Sequence, residues 1–314
     1  MIMNTKRKFR YRPGPDGLHL YERETGTNIL IDEIDIPKEE WAKAPRQVSI
    51  ALTNACNMNC PFCYAPKRVA ELDLKRLLGW LEELDTNGCL GVGLGGGEPT
   101  LYEGLPLICD YIKDRSQLAV TFTTNGHCLT ENLVDQLKGR VNFVRVSMDG
   151  VGDTYKTLRG KSFSSFCRRL ELVKSVSGFG INYVVNAQTL PDLEDAIAIA
   201  ITTGATEFLL LPEQPVQGRR GIDEHTLLKL RNWVRSYSGP MKLSVSEAGA
   251  DILPTCDPLS KEKELQSYAH IDASGVIKRS SFDLSGVTIE NDGLMNALLK
   301  LQGQRLEVVD EDLE

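Results

Sequence analysis

The chain has 314 residues, of which 41% are hydrophobic and 25% charged, and these proportions exclude a disordered or collagen-like protein. Its formal net charge of −7 disfavours general binding to nucleic acid or to anionic membrane surfaces. The opening residues are charged where a signal peptide is apolar, and no stretch of the sequence is apolar enough to span a membrane, so we expect a cytoplasmic protein.

Residues 1–45 are predicted to form a small β arm, because short β-like runs flank the turn sequence Pro13-Gly14-Pro15-Asp16-Gly17. The arm is too short to be a separate binding domain. We expect it to act as a hairpin lid or as an addition to the edge of a larger sheet.

Between residues 46 and 240, β-rich runs alternate with amphipathic stretches whose apolar residues recur at the helical spacing i, i+3, i+4, i+7. Several runs have little polar alternation, as expected for a parallel sheet that is covered by helices. Six βα units predict an α/β fold, namely an open, partial (β/α)6 barrel of the TIM type. The predicted strands are 47–52, 89–94, 118–123, 142–147, 180–185 and 207–211.

Three of the eight cysteines, Cys56, Cys60 and Cys63, fall within one short loop after the first predicted barrel strand. A zinc site usually closes with two separated ligand pairs, and the sequence has no second Cys-x2-Cys or His pair. A [4Fe–4S] cluster also takes four ligands, so three thiolates would leave one iron open to a ligand from outside the protein. The loop therefore favours an iron–sulfur cluster with a chemical role.

The spacing Cys56-x3-Cys60-x-Phe62-Cys63 resembles the signature of the radical S-adenosylmethionine (SAM) superfamily. The resemblance implies a [4Fe–4S] cluster whose open iron binds SAM, reductive cleavage of SAM to a 5′-deoxyadenosyl radical, and a flavodoxin-like or ferredoxin-like electron donor. It also implies a partial barrel as the core fold. Its specific motifs cover about residues 47–215.

Other motifs at the carboxyl ends of the predicted strands extend this resemblance. Gly96, Gly97 and Glu98 resemble the family motif that binds the SAM amino group, although alone they would form an ordinary glycine turn. Ser147 and Asp149, read together with Arg159, resemble residues that contact the SAM carboxylate and ribose; the alternative is an Asx turn at a strand end. Further candidate SAM contacts, each with loop packing or a turn as its alternative, are Phe62, Tyr64, Asn125 and Asn186.

Residues two apart on a strand share a face, so Arg145 lies on the same face as Ser147, and Asn182 on the same face as Asn186. If these faces point into the barrel, they give a polar lining beneath the substrate, with Glu213 as a candidate catalytic proton acceptor. The alternative is that Arg145 faces solvent and the asparagines satisfy backbone groups.

Residues 241–314 are predicted to contain a hairpin over 268–278 and a closing helix with Leu294, Ala297, Leu298 and Leu301 on its apolar face. This order resembles the SPASM or twitch domains of peptide-modifying radical SAM enzymes. Those domains place cysteines just past the hairpin, where this chain has Ser280 and Ser281. We therefore expect a remnant without a second cluster, in which Cys256 is either a leftover or a catalytic thiol.

The remaining cysteines, Cys89, Cys109, Cys128 and Cys167, are predicted to be structural. Taken together, these resemblances imply a radical SAM enzyme that acts on a ribosomally made peptide. Two alternatives stay open, a small metabolite or nucleoside as the substrate, and a non-catalytic iron–sulfur or zinc protein.

Overall fold

We describe a computed structural model of the chain for residues 9–216, 218, 220–256 and 258–304. The ends of the predicted arm and of the predicted extension, residues 1–8 and 305–314, lie outside the described residues. The strands are β1 Arg10–Gly14, β2 Gly17–Glu22, β3 Thr27–Ile31, β4 Gln47–Thr53, β5 Gly91–Gly96, β6 Ala119–Thr124, β7 Phe143–Ser147, β8 Phe179–Val185, β9 Phe208–Pro212, β10 Leu243–Val245, β11 Tyr268–Ile271, β12 Val276–Lys278 and β13 Val287–Thr288. The helices are α1 Leu74–Thr86, α2 Leu105–Arg115, α3 Glu131–Leu137, α4 Asp153–Arg159, α5 Phe163–Val176, α6 Leu193–Thr203, α7 Glu224–Ser236, α8 Glu247–Ala250 and α9 Leu294–Gly303.

One large sheet organises the chain, with its strands in the order β10-β9-β8-β7-β6-β5-β4-β11-β12-β13. Neighbours are parallel from β10 to β11, and β12 and β13 are added antiparallel. The six predicted strands correspond to β4–β9, which confirms the α/β fold of the partial-barrel type. In the described part of the chain the two terminal strands, β10 and β13, do not pair with each other, so the sheet is open.

The two faces of the sheet differ in composition. One face carries large apolar side chains that are almost fully buried, such as Ile50, Phe122 and Val144. The other face carries small or polar residues. The register of β4–β6 aligns Ser49, Gly93 and Thr121 on it, and Arg145 of β7 lies opposite Thr123. The apolar face can form the core under the helices, and the small and polar face can line the inside of the barrel.

The first helix, α1, shows how a capping residue starts a helix and how one stripe of apolar side chains is buried. In α1, the side chain of Asp73 accepts a hydrogen bond of 2.8 Å from the Arg76 backbone N–H, which satisfies an amide that the first helical turn leaves free. Leu77, Leu81 and Leu84 of this helix are fully buried, as their spacing predicts. Among the described residues, none of the helices has the length and apolar character needed to cross a membrane.

The N-terminal arm forms a separate antiparallel sheet, β1-β2-β3, and does not extend the edge of the large sheet. Arg23 donates hydrogen bonds of 2.9 and 3.0 Å to the carbonyls of Ser116 and Leu118, just before β6 begins. Arg12 donates to the carbonyl of Gly88, ahead of β5. These contacts place the arm at the amino ends of the barrel strands, opposite the end where ligands bind, so the expectation of a lid or an edge strand is wrong for the described arm.

We expect Arg12→Ala to lower the free energy of unfolding by about 3 kcal/mol, because it leaves part of a buried ion pair and several carbonyls unpartnered. Arg12 is 3% exposed, pairs with the buried Glu262, and also donates to the Ala44 carbonyl. Urea unfolding measures the change, with Lys43→Ala, an exposed neighbour of the same junction, as the control. Equal midpoints for the two variants would contradict the anchoring role.

The C-terminal hairpin and helix are confirmed. β11 and β12 pair around Gly275, whose φ of 79° suits a turn glycine, and the four predicted apolar residues of α9 are buried. The Glu83 carboxylate of α1 accepts hydrogen bonds from the first two backbone amides of α9, Leu294 and Met295, at 3.1 and 2.9 Å. The hairpin also joins the barrel sheet directly, through β11 and β4. The domain boundary at residue 240 stays a prediction.

Candidate functional site

The cysteine loop and the glycine motif meet where β4 and β5 end. The backbone N–H of Gly97 donates to the Thr53 carbonyl at 2.6 Å, and that of Glu98 to the Ala55 carbonyl at 2.8 Å. A Cβ on Gly97 would lie 2.1 Å from the Ala55 carbonyl oxygen. Only glycine permits this close approach, so the motif forms a cradle beside the loop that holds Cys56.

Glu98 ties the ends of β5 and β6 together. Its carboxylate is 1% exposed and accepts hydrogen bonds from the Thr100 backbone and hydroxyl, the Thr124 hydroxyl and the Asn125 backbone. Burial raises the pKa of Glu98, and these hydrogen bonds act in the opposite direction. Since the four bonds already occupy most of its acceptor capacity, Glu98 shapes the cradle, and its contact with a SAM amino group stays a prediction.

Asn125 connects β6 to the cysteine loop. Its side-chain Nδ2 donates to the Asn57 Oδ1 at 2.7 Å, and its Oδ1 accepts from the His127 backbone N–H at 2.9 Å. Asn57 directly follows Cys56. Asn125 thus fixes the loop that carries the predicted cluster ligands.

Asp149, Arg159 and the cysteine loop form one connected group. Arg159, at the end of α4, pairs with the fully buried Asp149 and places its Nη1 3.5 Å from the Cys60 Sγ. Its guanidinium carbon lies 5.5 Å from the centre of the Phe62 ring, a cation–π contact. Burial raises the pKa of the Cys60 thiol, and the Arg159 charge acts against that rise. The second Asp149 oxygen accepts from the Val184 backbone at 2.6 Å, so in this structure Asp149 supports Arg159.

Tyr64 points its ring toward the C-terminal hairpin. The ring lies edge-on to His270 and Phe282, with centroid distances of 6.2 and 5.6 Å. Ser49 of β4 contacts the Tyr268 hydroxyl at 2.5 Å and the His270 Nδ1 at 2.7 Å. Tyr268 and His270 are inner-face residues that the sequence did not predict. Strand parity in the predicted hairpin identifies them only once β11 is paired with β4.

We expect the stability of the protein to rise between about pH 4 and 6.5 through His270. Burial and the nearby Lys278 charge lower the pKa of His270 from 6.5 to about 4, against the opposing effect of Asp272 and Asp283. In this interval the unfolded chain binds more protons than the folded one, and the lowered pKa corresponds to about 3 kcal/mol. Urea midpoints measured across this range should depend less steeply on pH in His270→Asn. If the urea midpoints of His270→Asn changed with pH as steeply as those of the unmodified protein, the assignment to His270 would be contradicted. His225→Asn, at the exposed start of a helix, is the control.

Ser147 and Asn182 face each other across β7 and β8, on the inner face that they share with Arg145. Asn186, at the end of β8, donates through Nδ2 to the Glu213 Oε2 at 2.8 Å, and its Oδ1 accepts from the Thr189 backbone at 3.0 Å. The structure therefore places the polar lining inside the barrel and holds Glu213 at its mouth. The contact of Asn186 with SAM stays a prediction, as does the role of Glu213 as a proton acceptor.

The other cysteines differ in how close they lie to this group. Burial, together with the nearby Glu98 and Cys56, raises the pKa of Cys128, so Cys128 lies beside the group. Cys109 and Cys89 are buried, and burial raises their pKa to about 12 and about 11. Cys128 and Cys167 are half-buried, and Cys256 is exposed. The role of Cys256, a leftover or a catalytic thiol, stays a prediction.

Comparison with known proteins identifies the domain. The family model of the radical SAM superfamily matches residues 50–199. The chain carries a radical SAM domain. The matched stretch contains the cysteine loop, the glycine cradle and the pair of Asp149 and Arg159, so the recognition made from the cysteine spacing is confirmed.

Among the relatives of this radical SAM chain is a probable GTP 3′,8-cyclase of Saccharolobus solfataricus, 29% identical over 64% of the chain. The chain spans 65% of that relative's length. The mycofactocin maturase MftC of Mycolicibacterium smegmatis is 30% identical over 54% of the chain and 45% of its own length. SuiB of Streptococcus suis bound to its precursor peptide SuiA shares the fold, with a TM-score of 0.74, 13% identity and coverage of 93% of this chain and 87% of SuiB.

The radical SAM family implies a [4Fe–4S] cluster and SAM, and the residues present fit both. Three free thiols lie on one loop. Beside them are the cradle that a Cβ would fill and the buried Arg159 Nε, which makes no hydrogen bond within the described structure. In that described part no three His, Cys, Asp or Glu side chains converge on a single ion, and a cube does not require this because each thiolate binds a different iron.

Proposed function

We propose that this radical SAM protein modifies a peptide substrate held against the inner face of its sheet. Cys56, Cys60 and Cys63 would hold the cluster, and the glycine cradle with Arg159 would hold SAM. The cluster and SAM, once bound, supply the reductive cleavage that starts radical chemistry, and the protein contributes binding, orientation and exclusion of water. A flavodoxin-like or ferredoxin-like protein is the proposed electron donor.

The choice between a peptide and a nucleotide substrate rests on how the charges of the inner face are paired. Among the described strand residues of that face, the lysine and arginine side chains are Arg145 and Lys278. Arg145 lies 2.5 Å from the Glu207 carboxylate, and Lys278 lies 3.0 Å from that of Asp272. Because both charges are already neutralised, this face offers hydrogen bonds and little net positive charge. Such a surface suits the amides of a peptide better than a triphosphate, which needs several free cationic groups.

Two further observations agree with a peptide. The fold similarity to SuiB in complex with its precursor peptide extends over 93% of the chain. Gly95 also leaves room on the inner face, since a Cβ there would meet nothing within 4 Å. Within this proposal Glu213, held by Asn186 at the mouth, is the candidate acceptor for a substrate proton.

The second candidate substrate is a nucleotide, which the sequence similarity to the probable GTP 3′,8-cyclase favours. The two candidates are separated by offering GTP and a candidate short polypeptide, one that copurifies with the protein or is encoded next to its gene, to reconstituted protein in parallel. Both reactions contain SAM and dithionite and are kept free of oxygen. We expect the polypeptide to change mass and GTP to stay intact, with Cys60→Ala protein as the negative control. Consumption of GTP with an unchanged polypeptide would overturn the peptide proposal.

A further inference from the structure

Arg159 contacts a predicted cluster ligand as well as facing the predicted SAM site. Its Nη1 lies 3.5 Å from the Cys60 Sγ, within hydrogen-bonding distance for a sulfur acceptor. The same guanidinium lies over the ring of Phe62, with its carbon 5.5 Å from the ring centre. Both partners belong to the cysteine loop, whereas Arg159 comes from the end of α4. One side chain therefore joins the barrel wall to the loop that carries the thiols.

Asp149 fixes the guanidinium in this position. The carboxylate is fully buried, pairs with the Arg159 Nη2, and is itself held by the Val184 backbone N–H at 2.6 Å. If Arg159 moved away, Asp149 would remain as an unpaired buried charge, which is strongly unfavourable. The Arg159 side chain is only 10% exposed, so water competes little for its donors. The contact with Cys60 is thus built into the fold.

We propose that Arg159 tunes the reduction potential of the cluster by donating a hydrogen bond to the Cys60 thiolate. Hydrogen bonds to the ligand sulfurs of an iron–sulfur cluster stabilise its more electron-rich, reduced form and raise its potential. Since Asp149 balances the charge of Arg159, the directed bond from Nη1 is the main contribution. The inference rests on the cluster of the proposed function and is independent of the substrate.

Two of the three guanidinium nitrogens of Arg159 have partners within the protein. Nη2 is used by Asp149 and Nη1 by Cys60, while Nε is buried and makes no hydrogen bond among the described residues. Nε remains for an acceptor from outside the chain, such as a carboxylate of SAM. A lysine has a single ammonium group without the planar fork of arginine, so it cannot serve Asp149 and Cys60 in the same geometry.

The test is an EPR-monitored redox titration of the reconstituted cluster, run without SAM and without substrate, so that it gives the same answer whichever substrate class is correct. We expect Arg159→Gln and Arg159→Lys to titrate at a lower potential than the unmodified protein. The expected change is about tenfold in the ratio of reduced to oxidised cluster at a fixed solution potential, or about 59 mV for a one-electron couple. Arg140→Gln is the control, because Arg140 pairs with Asp110 on the surface ahead of β7.

Iron content is measured on every variant before titration. A variant that holds the full cluster and titrates at the potential of the unmodified protein overturns the proposal. Loss of iron from both Arg159 variants also overturns it, since Arg159 would then be required for assembly of the cluster and not for its potential. A shift in Arg140→Gln equal to that in Arg159→Gln would show that the effect does not come from the contact with Cys60.

Discussion

Cys60→Ala is expected to abolish both iron binding and the formation of 5′-deoxyadenosine from SAM. The three thiols of the loop are the only protein ligands that the family signature provides for the cluster, and Cys60 is also the thiol in contact with Arg159. With two thiolates left, the cube loses a protein ligand at a second iron and is no longer held. The measurements are iron per chain after anaerobic reconstitution and chromatography of the products after addition of dithionite and SAM.

Cys109→Ala is the matched control for this experiment. Cys109 is fully buried on the apolar stripe of α2 and contacts none of the loop thiols. We expect it to keep both iron and product and to lose about 1 kcal/mol of stability through packing. Full iron content and product formation in Cys60→Ala would remove the loop from the chemistry and favour a different site for the metal.

Gly97→Ala is expected to lower the free energy of unfolding by more than about 4 kcal/mol and to prevent stable loading of iron. A Cβ at this position would lie 2.1 Å from the carbonyl oxygen of Ala55 and 2.7 Å from that of Asn54. Both obstacles are backbone atoms, which a rotamer change cannot move aside. The loop next to Cys56 must therefore shift away from β5. Urea unfolding and iron content after reconstitution report the two effects.

Gly95→Ala, two residues earlier, separates this steric effect from the general effect of a new methyl group in β5. A Cβ on Gly95 would meet nothing within 4 Å, so we expect a change in unfolding free energy below about 1 kcal/mol. If Gly97→Ala and Gly95→Ala unfolded at the same urea concentration, the close approach of the cradle to the cysteine loop would not be required.

The parallel strands could be predicted from the sequence because their local pattern is strong. The predicted strand 47–52 agrees closely with β4 Gln47–Thr53. The strand predicted at 89–94 is observed at Gly91–Gly96, since the glycines beyond Leu94 still pair with Ala51 and Thr53. Glycine carries no strand propensity of its own, so only the neighbouring strand extends β5 through it.

Pairings between distant parts of the chain could not be predicted. β11 follows β4 by more than 200 residues and lies beside it, with Tyr268 opposite Gln47. Arg12 and Glu262 meet across a similar separation. No local pattern encodes such partners, so the sequence indicates neither the packing of the arm at the amino ends of the barrel strands nor the short strand β10.

For the candidate site, strand parity placed Arg145 and Ser147 together on the inner face, and the structure places them there. Their neighbours across the sheet depend on tertiary contacts. The salt bridge of Arg145 with Glu207, and the burial of Asp149 behind Arg159, follow from how strands and helices pack. These contacts decide which charges remain free for a ligand, and the sequence alone does not contain them.

The placement of the N-terminal arm has a practical consequence for handling the protein. Arg10 of β1 is anchored to Asp85, beside the amino ends of the barrel strands, and the mouth lies at their carboxyl ends. A linker attached at the exposed turn between β2 and β3, residues 24–26, would therefore emerge on the side remote from the cysteine loop. Protein immobilised in this orientation would turn the cysteine loop away from the support and toward a reductant in solution.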